Sequence, residues 1–387
     1  MNVLYVCADR GIPIFGSKGA SVHVRSLTGA IQRLGHTVTV AARGRGEGNP
    51  GPVVHRLERL EEDTHNATSQ LENLIRTERV DAVIERYSLQ SAAARIATRR
   101  CGVPLTLEIN ARLVEEATRY RGLDDSAAEQ REHHTLRDAD RIHVVSSALL
   151  RYVNEIAPDV PATWIPNGAD VARFRASDST AASRTAASTF PGRTVVGFTG
   201  SMKPWHGVEQ LLTAFAQAHS VHPHAGLVLV GAGPLAARVI ERGSQADLRG
   251  HVLCTGRVPH GEVPALVGRF DIAVAPYLPL EGFYFHPLKV VEYLAAGRAV
   301  IYSDQGDLRE LVGSAGLGYE PGSVDQLAER LSRLLGDETM RRELAASATA
   351  RAARLDWSVI AERVVRFVAD ASTDLLSAAS ASRAVSR

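Results

Sequence analysis

Lys289 and Glu292 are the two residues whose types and spacing best suit chemistry, in the segment FYFHPLKVVEYLAAG at 283–297. A separation of three places both side chains on one face of a helix. A lysine beside the free amides of a helix start suits a phosphate, and a carboxylate one turn deeper suits the hydroxyls of a ribose. The alternative interpretation is an amphipathic surface helix with an ordinary Lys/Glu pair.

The same segment predicts where this helix begins and ends. Pro287 suits the first helical position because its ring presets φ and an amide there would lack an intrahelical partner. Gly297 suits the position just after the last turn. The free amides then lie near Pro287 and Leu288, and we expect the anion site there.

Length and composition predict two soluble domains. The chain has 387 residues, 45% of them hydrophobic, and a net charge of +1. That length favours two cores over one, and the balanced charge gives no field for nucleic acid or an anionic membrane. Three widely separated cysteines, no basic leader and no apolar run of about 20 residues predict a cytoplasmic protein without a membrane span.

The first half begins with a strand, a glycine-bearing loop, a helix and a second strand. The strand NVLYVCA precedes the loop DRGIPIFGSKGAS, and HTVTVAA follows the helix. In such a unit the loop lies at the carboxyl edge of the sheet, where Gly16 and Gly19 would let backbone amides approach a phosphate or sugar. The loop completes neither a P-loop nor a dinucleotide fingerprint, which argues against a nicotinamide dehydrogenase.

Polar residues follow several predicted strands of this half. Arg86 follows VDAVIE, and Glu108 and Asn110 end the segment around PLTLEI. Because parallel strands end at one edge of the sheet, these side chains would line a common site. The alternative for each is a capping or loop residue. Asp138-Ala139-Asp140 matches a metal-binding D-x-D, but it lies where a helix meets a strand and is interpreted as structural.

A second alternation of strands and helices begins at 194, after an Ala/Ser/Thr-rich stretch at 176–190 that predicts a linker. Its first loop, in GFTGSMKPWHGVEQLL, carries Ser201, Lys203 and His206 before a helix, an arrangement that suits the binding of a diphosphate. The alternative is a solvated loop without a ligand. Gly231, at the end of GLVLVG, would let a ligand approach the backbone closely. The alternative is a simple strand-to-helix turn.

The order of these motifs closely resembles that of family 4 glycosyltransferases, retaining enzymes of the GT-B fold, and within them a bacterial branch with the PLKxxEYxAAG pattern. The motifs are IPNGAD, GFTGSMKPWHG, VGAGPL, TGRVPHGEVP, DIAVAPY and HPLKVVEYLAAGRAV. The resemblance implies two doubly wound Rossmann-like domains facing across a cleft. An acceptor-binding domain would span 1–170, completed by a last helix at about 356–375, and a donor-binding domain would span 171–355.

The resemblance also implies roles for individual residues. Lys203 and Lys289 would neutralise the donor diphosphate, helped by amides near Pro287 and Gly16, and Glu292 would accept from the ribose. The remaining donor contacts would come from the base-bordering pair Arg257 and Val258, and from Tyr284, Phe285 and His286 facing the sugar.

Three positions depart from the family pattern. Tyr284 stands where the family's E-x7-E motif has its first glutamate, although one branch has an aromatic pair there. The basic pair of the phosphate loop falls on Ser201 and His206, leaving Lys203 as the cation. The acceptor-side histidine falls in LEIN, so Glu108 or Asn110 would substitute.

The resemblance predicts a retaining, metal-independent transfer of a hexose-type sugar from a UDP- or GDP-linked donor. The departing diphosphate would take the acceptor's proton, and no other cofactor is expected. We expect a small polar acceptor, such as a natural product of secondary metabolism, a sugar or a cyclitol. The alternatives are a GT-B-fold sugar-nucleotide epimerase and a non-catalytic sugar-nucleotide-binding partner protein. The sequence predicts that no nucleic acid is a partner, and it does not determine the oligomeric state.

Overall fold

The computed structural model describes residues 1–44, 53–57, 64–122, 125–176 and 180–385. The chain divides into two compact units, the first formed by 1–167 and 357–387 and the second by 168–356. These limits lie within three residues of the predicted boundaries at 170 and 356.

The first unit contains a seven-stranded parallel sheet in the order β3-β2-β1-β4-β5-β6-β7. Short apolar runs form its strands, as expected for a sheet covered on both faces. Its elements in chain order are β1 (Asn2–Cys7), α1 (Gly19–Arg33), β2 (Thr37–Ala42), β3 (Val53–Arg56), α2 (Thr64–Thr77), β4 (Ala82–Arg86), α3 (Ala93–Cys101), β5 (Leu105–Ile109), α4 (Leu113–Arg121), α5 (Ala128–Arg137), β6 (Arg141–Val144), α6 (Ser147–Ile156) and β7 (Ala162–Trp164).

The second unit contains a six-stranded parallel sheet in the order β10-β9-β8-β11-β12-β13. Its elements are α7 (Val171–Arg175), α8 (Ala181–Thr189), β8 (Thr194–Thr199), α9 (Val208–Val221), β9 (Ala225–Val230), α10 (Ala236–Gly243), β10 (Val252–Gly256), α11 (Val263–Val267), β11 (Ile272–Ala275), α12 (Leu288–Ala295), β12 (Ala299–Ser303), α13 (Leu308–Val312), β13 (Gly316–Tyr319), α14 (Val324–Gly336) and α15 (Glu338–Ala352). The order reverses at β8, where β9 and β11 flank it, so ligands are expected at the carboxyl ends of these strands.

The last helix, α16 (Trp357–Val385), returns to the first unit and extends past the predicted end at 375. His23 of α1 contacts the residues at both points where the chain passes between the units, Asn167 and Trp357. Its Nδ1 lies 2.8 Å from Oδ1 of Asn167, and its ring meets Trp357 edge-on with 5.4 Å between centroids. Asn167 and Trp357 are the residues that end and resume the first unit, so one buried side chain fixes both.

The predicted linker at 176–190 is wrong over its second part. Residues 181–189 form α8, and Thr180 and Ser183 make a reciprocal capping box at its start. Ala186 and Phe190 are buried in the core of the second unit. The capping pair and these apolar anchors turn an Ala/Ser/Thr-rich stretch into a packed helix. Residues 177–179 lie outside the described part of the chain.

Candidate active site

Helix α12 is anchored at the centre of the second sheet. The hydroxyl of Tyr293 accepts from the Thr199 amide at 2.7 Å, at the carboxyl end of β8. Gly297 has φ of 63° and ends the helix as predicted. Pro287 is the residue before the first turn, with φ −72° and ψ 122°, one position earlier than predicted. The Leu288 and Lys289 amides therefore begin the helix without intrahelical acceptors.

Lys289 extends from α12 into a pocket of aromatic rings. Its Nζ lies 4.1 Å from the ring centroid of Phe198 and 5.1 Å from that of Tyr277. A Cβ at Gly200 would lie 2.8 Å from this Nζ, so the ammonium group abuts the backbone after β8. The Nζ is buried and has no hydrogen-bond partner among the described residues. A buried amine that contacts π-faces and has no hydrogen-bond acceptor is poised to bind an anion.

Burial lowers the pKa of Lys289 to about 7, although the carboxylate of Glu292 opposes the shift. His206 is affected more strongly: burial, and then the nearby charge of Lys289, lower its pKa to about 2. Its Nδ1 bonds to the carbonyl oxygen of Ser201. His206 is therefore neutral at pH 7, and the structure gives it the role of holding its loop closed. Lys203, together with Lys289 in its protonated form, stays the predicted source of positive charge at this site.

Glu292 has a partner that the sequence analysis did not identify. Its Oε1 lies 2.9 Å from Nε2 of His260, which is on the turn after β10. The Glu292 side chain is 11% exposed and that of His260 23%. The histidine is visible in TGRVPHGEVP, but 32 residues separate the pair, and no local spacing rule reveals such a contact.

Glycines bring the loops after β8, β9 and β10 together. A Cβ at Gly231, whose φ is 132°, would lie 2.0 Å from the carbonyl oxygen of Gly200. The Gly231 amide donates to the carbonyl of Gly256 at 3.0 Å. The predicted close approach is therefore between neighbouring loops, and a contact of Gly231 with a ligand stays a prediction.

The other residues predicted to bind the donor lie around the same sheet edge. Lys203 is exposed and its Nζ lies 4.6 Å from the ring centroid of Trp205, a cation–π contact. Ser201 and Arg257 are exposed, and Val258 packs against the core. Their contacts with a nucleotide stay predictions.

The aromatic segment before α12 is more buried than expected for residues that face a bound sugar. Tyr284 is 8% exposed and His286 6%. The ring of Phe285 lies tilted against that of Tyr284, with 4.6 Å between centroids, and meets Phe283 edge-on at 5.3 Å. The segment thus forms part of the wall that supports Lys289. Contact of these residues with the transferred sugar stays a prediction.

In the first unit, Glu108 is a fully buried centre of polar contacts. Its Oε1 accepts from Tyr5 at 3.1 Å, from Arg86 at 2.9 Å and from Asn110 at 2.5 Å. His23 Nε2 also lies 2.9 Å from Oε1, outside hydrogen-bond geometry.

The charges around Glu108 decide its ionisation. Burial alone would raise the pKa of Glu108, but His23, His143 and Arg86 outweigh burial and hold it well below its usual range. Burial lowers the pKa of His143 to about 4, so that ring is neutral at pH 7. Glu108 thus positions Arg86 and Asn110. Asn110 is part-exposed and therefore better placed to reach a ligand.

Two further predictions concern Gly16, Gly19 and the D-x-D segment. The Gly16 amide donates to the Pro13 carbonyl at 2.8 Å, which closes a turn, and Gly19 is the first residue of α1. A phosphate contact through the Gly16 amide would require this turn to open, and it stays a prediction. Asp138 pairs with Arg95 and Arg99, and Asp140 accepts from the Leu105 amide at 2.7 Å.

The paired carboxylates of Asp138 and Asp140 hold the first sheet, in agreement with their structural interpretation. Within the described ranges, no three residues among histidine, cysteine, aspartate and glutamate are grouped as metal ligands would be. No helix in the described part of the chain is long and apolar enough to cross a membrane.

Family comparisons agree with the two-unit architecture. Residues 18–168 match the model of a glycosyl transferase 4-like domain, and residues 193–337 match that of glycosyl transferases group 1. Each match corresponds to one of the two units, the first passing its boundary by one residue. The chain therefore belongs to the glycosyltransferases that combine these two domains, and its two parallel α/β units form the GT-B fold.

Curated relatives match part of the chain. A phosphatidyl-myo-inositol mannosyltransferase of Mycolicibacterium smegmatis is 31% identical over 209 residues, 53% of this chain and 51% of that protein. A D-inositol 3-phosphate glycosyltransferase of Nocardia farcinica is 29% identical over 204 residues, 51% of this chain and 45% of that protein. The chain spans about half the length of the curated relatives it matches.

Solved structures match nearly the whole chain at low sequence identity. Anabaena HepE, in complex with UDP and glucose, has a TM-score of 0.75 and 18% identity, covering 96% of this chain and all of that one. Sucrose-phosphate synthase of Thermosynechococcus elongatus has a TM-score of 0.73 and 20% identity, covering 94% and 97%. At these identities the likeness shows the fold alone.

Proposed function

We propose that this protein is a retaining glycosyltransferase that moves a hexose-type sugar from a UDP- or GDP-linked donor to a hydroxyl of a small polar acceptor, without a metal. The observation that carries the proposal is the buried ammonium of Lys289, which has no hydrogen-bond partner in the described part of the chain. Lys289 belongs to the first turn of α12, and Glu292 follows one turn deeper. This arrangement suits a diphosphate followed by a ribose.

Catalysis would rest on stabilising the departing diphosphate. Lys289 and the α12 amides would meet the charge that grows on the leaving group, and Lys203 would add a second cation from the opposite loop. The diphosphate would take the acceptor's proton, so that no enzyme nucleophile is needed. In the first unit, Asn110, held by Glu108, would orient the acceptor.

The relatives narrow the acceptor class for testing. Two of them act, by name, on inositol-bearing molecules, one a phospholipid and one an inositol phosphate. A polyol hydroxyl, of a cyclitol or a sugar, is the chemistry these share with the small polar acceptor proposed here. The acceptor panel therefore contains myo-inositol, inositol 3-phosphate, monosaccharides and phosphatidylinositol vesicles.

The experiment incubates the full chain with UDP- and GDP-linked glucose, N-acetylglucosamine and mannose against this panel. Mass spectrometry would detect an acceptor carrying one added sugar, and NMR would show the donor's α configuration retained. The Lys289→Met variant, unable to bind the diphosphate by charge, serves as the matched negative control. Interconversion of the donor sugar without acceptor would support the epimerase. Donor binding without transfer or hydrolysis would support the non-catalytic partner.

A further inference from the structure

His260 lies outside the donor machinery proposed so far, yet it makes a close contact with that machinery. Its Nε2 lies 2.9 Å from Oε1 of Glu292. The histidine belongs to the short 3₁₀ turn His260–Glu262, and the glutamate to α12. Because an ionised carboxylate can only accept, Nε2 must carry the hydrogen in this contact.

The two oxygens of Glu292 have different surroundings. Oε1 is occupied by His260, whereas Oε2 has no hydrogen-bond or ion-pair partner in the described part of the chain. The side chain is 11% exposed, so only a small part of it is in contact with solvent. One oxygen is therefore held by the protein and the other is left for a hydroxyl group.

The turn that carries His260 also follows the strand end at which Arg257 and Val258 lie. Val258 packs against the core, and Pro259 immediately precedes the histidine. Proline fixes φ, and the packed valine fixes the direction of the chain into the turn. The histidine is thus presented to Glu292 from a defined backbone and does not reach it from a loose loop.

We infer that His260 is a positioning residue that fixes the Glu292 carboxylate so that its open oxygen selects the ribose hydroxyls of the donor. The inference rests on the proposed function, because it assigns Glu292 to the ribose. A polar group held in place for a substrate hydroxyl rejects an analogue that lacks the hydroxyl, since the group is then left unpaired. Without His260 the carboxylate can turn toward solvent and loses this discrimination.

The test compares binding of UDP and GDP with that of their 2′,3′-dideoxy counterparts by titration calorimetry. Wild type should bind the preferred ribonucleotide about 10- to 100-fold more tightly than its dideoxy form, the range of a hydrogen bond to a charged group. His260→Leu keeps the bulk but cannot donate, and its ratio should fall to about threefold or less. Affinity for the dideoxy form should stay within about twofold of wild type.

Further variants separate positioning from packing. The side-chain amide of His260→Gln can still donate to Glu292 and should recover most of the ratio. His260→Ala repeats the test if His260→Leu fails to fold. His224→Ala removes an exposed histidine of the same unit and should leave the ratio unchanged.

The outcomes distinguish this inference from the proposed function. An equal loss of affinity for both ribo- and dideoxynucleotides in His260→Leu would show a merely structural contact and overturn the inference. So would an undiminished ratio in that variant. Wild type that binds neither UDP nor GDP would instead contradict the proposed function itself.

Discussion

The Nζ of Lys289, a residue of α12, lies 4.1 Å from the ring centroid of Phe198, a residue of β8. Tyr277 and the Gly200 backbone close the same pocket, and the described residues offer the ammonium no hydrogen bond. The free protein thus keeps a cation in a poorly solvated place. Such an arrangement costs stability, and an incoming anion would offset that cost.

Replacing Lys289 should separate activity from stability. We expect Lys289→Met to lower kcat/KM for transfer at least about 100-fold, the scale of one preorganised donor near 3 kcal/mol. The melting temperature should stay the same or rise, because a buried unpaired amine is replaced by an apolar chain of similar length. Steady-state kinetics and thermal unfolding check both. Arg269→Met, an exposed cation of the same unit, is the control, and wild-type turnover in Lys289→Met would refute the assignment.

Nucleoside diphosphate binding should weaken with rising pH because of Lys289. Its pKa of about 7 in the free protein means that the ammonium form, which attracts phosphate, is lost above pH 7. If only that form binds, affinity should be about fivefold lower at pH 8 than at pH 7. The terminal phosphate titrates near pH 6, so its charge is almost constant in this range.

The measurement is calorimetric titration of UDP and GDP at pH 7, 8 and 9. Lys289→Arg keeps its charge throughout the range and should abolish the dependence. A pH dependence that persists in this variant would show that another group is responsible.

We expect Glu85 to make the unfolding free energy of the first unit depend on pH. This β4 residue is 2% exposed, and burial raises its pKa to about 8, against the opposing effects of Ser91 and Arg95. Between about pH 4.5 and 8 the unfolded chain has this carboxyl ionised while the folded protein keeps it protonated. The stabilising contribution of Glu85 is therefore complete below pH 4.5 and is lost as pH rises toward 8.

Glu85→Gln removes this titration. Relative to wild type, the variant should gain roughly 1 kcal/mol of unfolding free energy for each pH unit between 5 and 8. Urea unfolding across that range provides the comparison, and Glu78→Gln at an exposed site is the control. Parallel stability curves for wild type and Glu85→Gln would contradict the prediction.

Local patterns in the sequence were enough for the two parallel sheets and for the shared face of Lys289 and Glu292. Both follow from short-range rules: apolar runs between turn residues, and a helix period that pairs positions three apart. The glycine at 297 followed from the same kind of signal, whereas the boundaries near 170 and 356 came from the family resemblance. These features need no knowledge of which distant residues meet.

Contacts between distant residues were beyond such rules. His260 meets Glu292 across 32 residues, and Glu108 gathers Tyr5 and His23 from two other elements. The contact of Glu108 with Arg86 agrees instead with the expected shared edge of the sheet. The sequence places His206 in a loop that suits a diphosphate but does not give its charge state. Its neutral state results from burial and from the charge of Lys289, which only the folded loop brings near.

Glu108 should be essential to the stability of the first unit. Its side chain is too buried to contact a sugar in place of the family's histidine. Glu108→Gln removes the charge that neutralises the 12%-exposed Arg86 side chain, which then stays buried without a counterion. Loss of one partner of a buried pair costs about 3 to 5 kcal/mol. Denaturant unfolding should show a loss of that size, while exposed Glu155→Gln should show almost none.

A double variant distinguishes an ion-pair effect from general damage to the core. Glu108→Met combined with Arg86→Met removes both charges and should recover much of the stability lost in Glu108→Gln, because no buried charge is left unpaired. The Asn110 side chain would still lack its acceptor at 2.5 Å, so the KM for acceptor should remain raised in the double variant. If stability and KM recovered together, Glu108 would not act on the acceptor through Asn110.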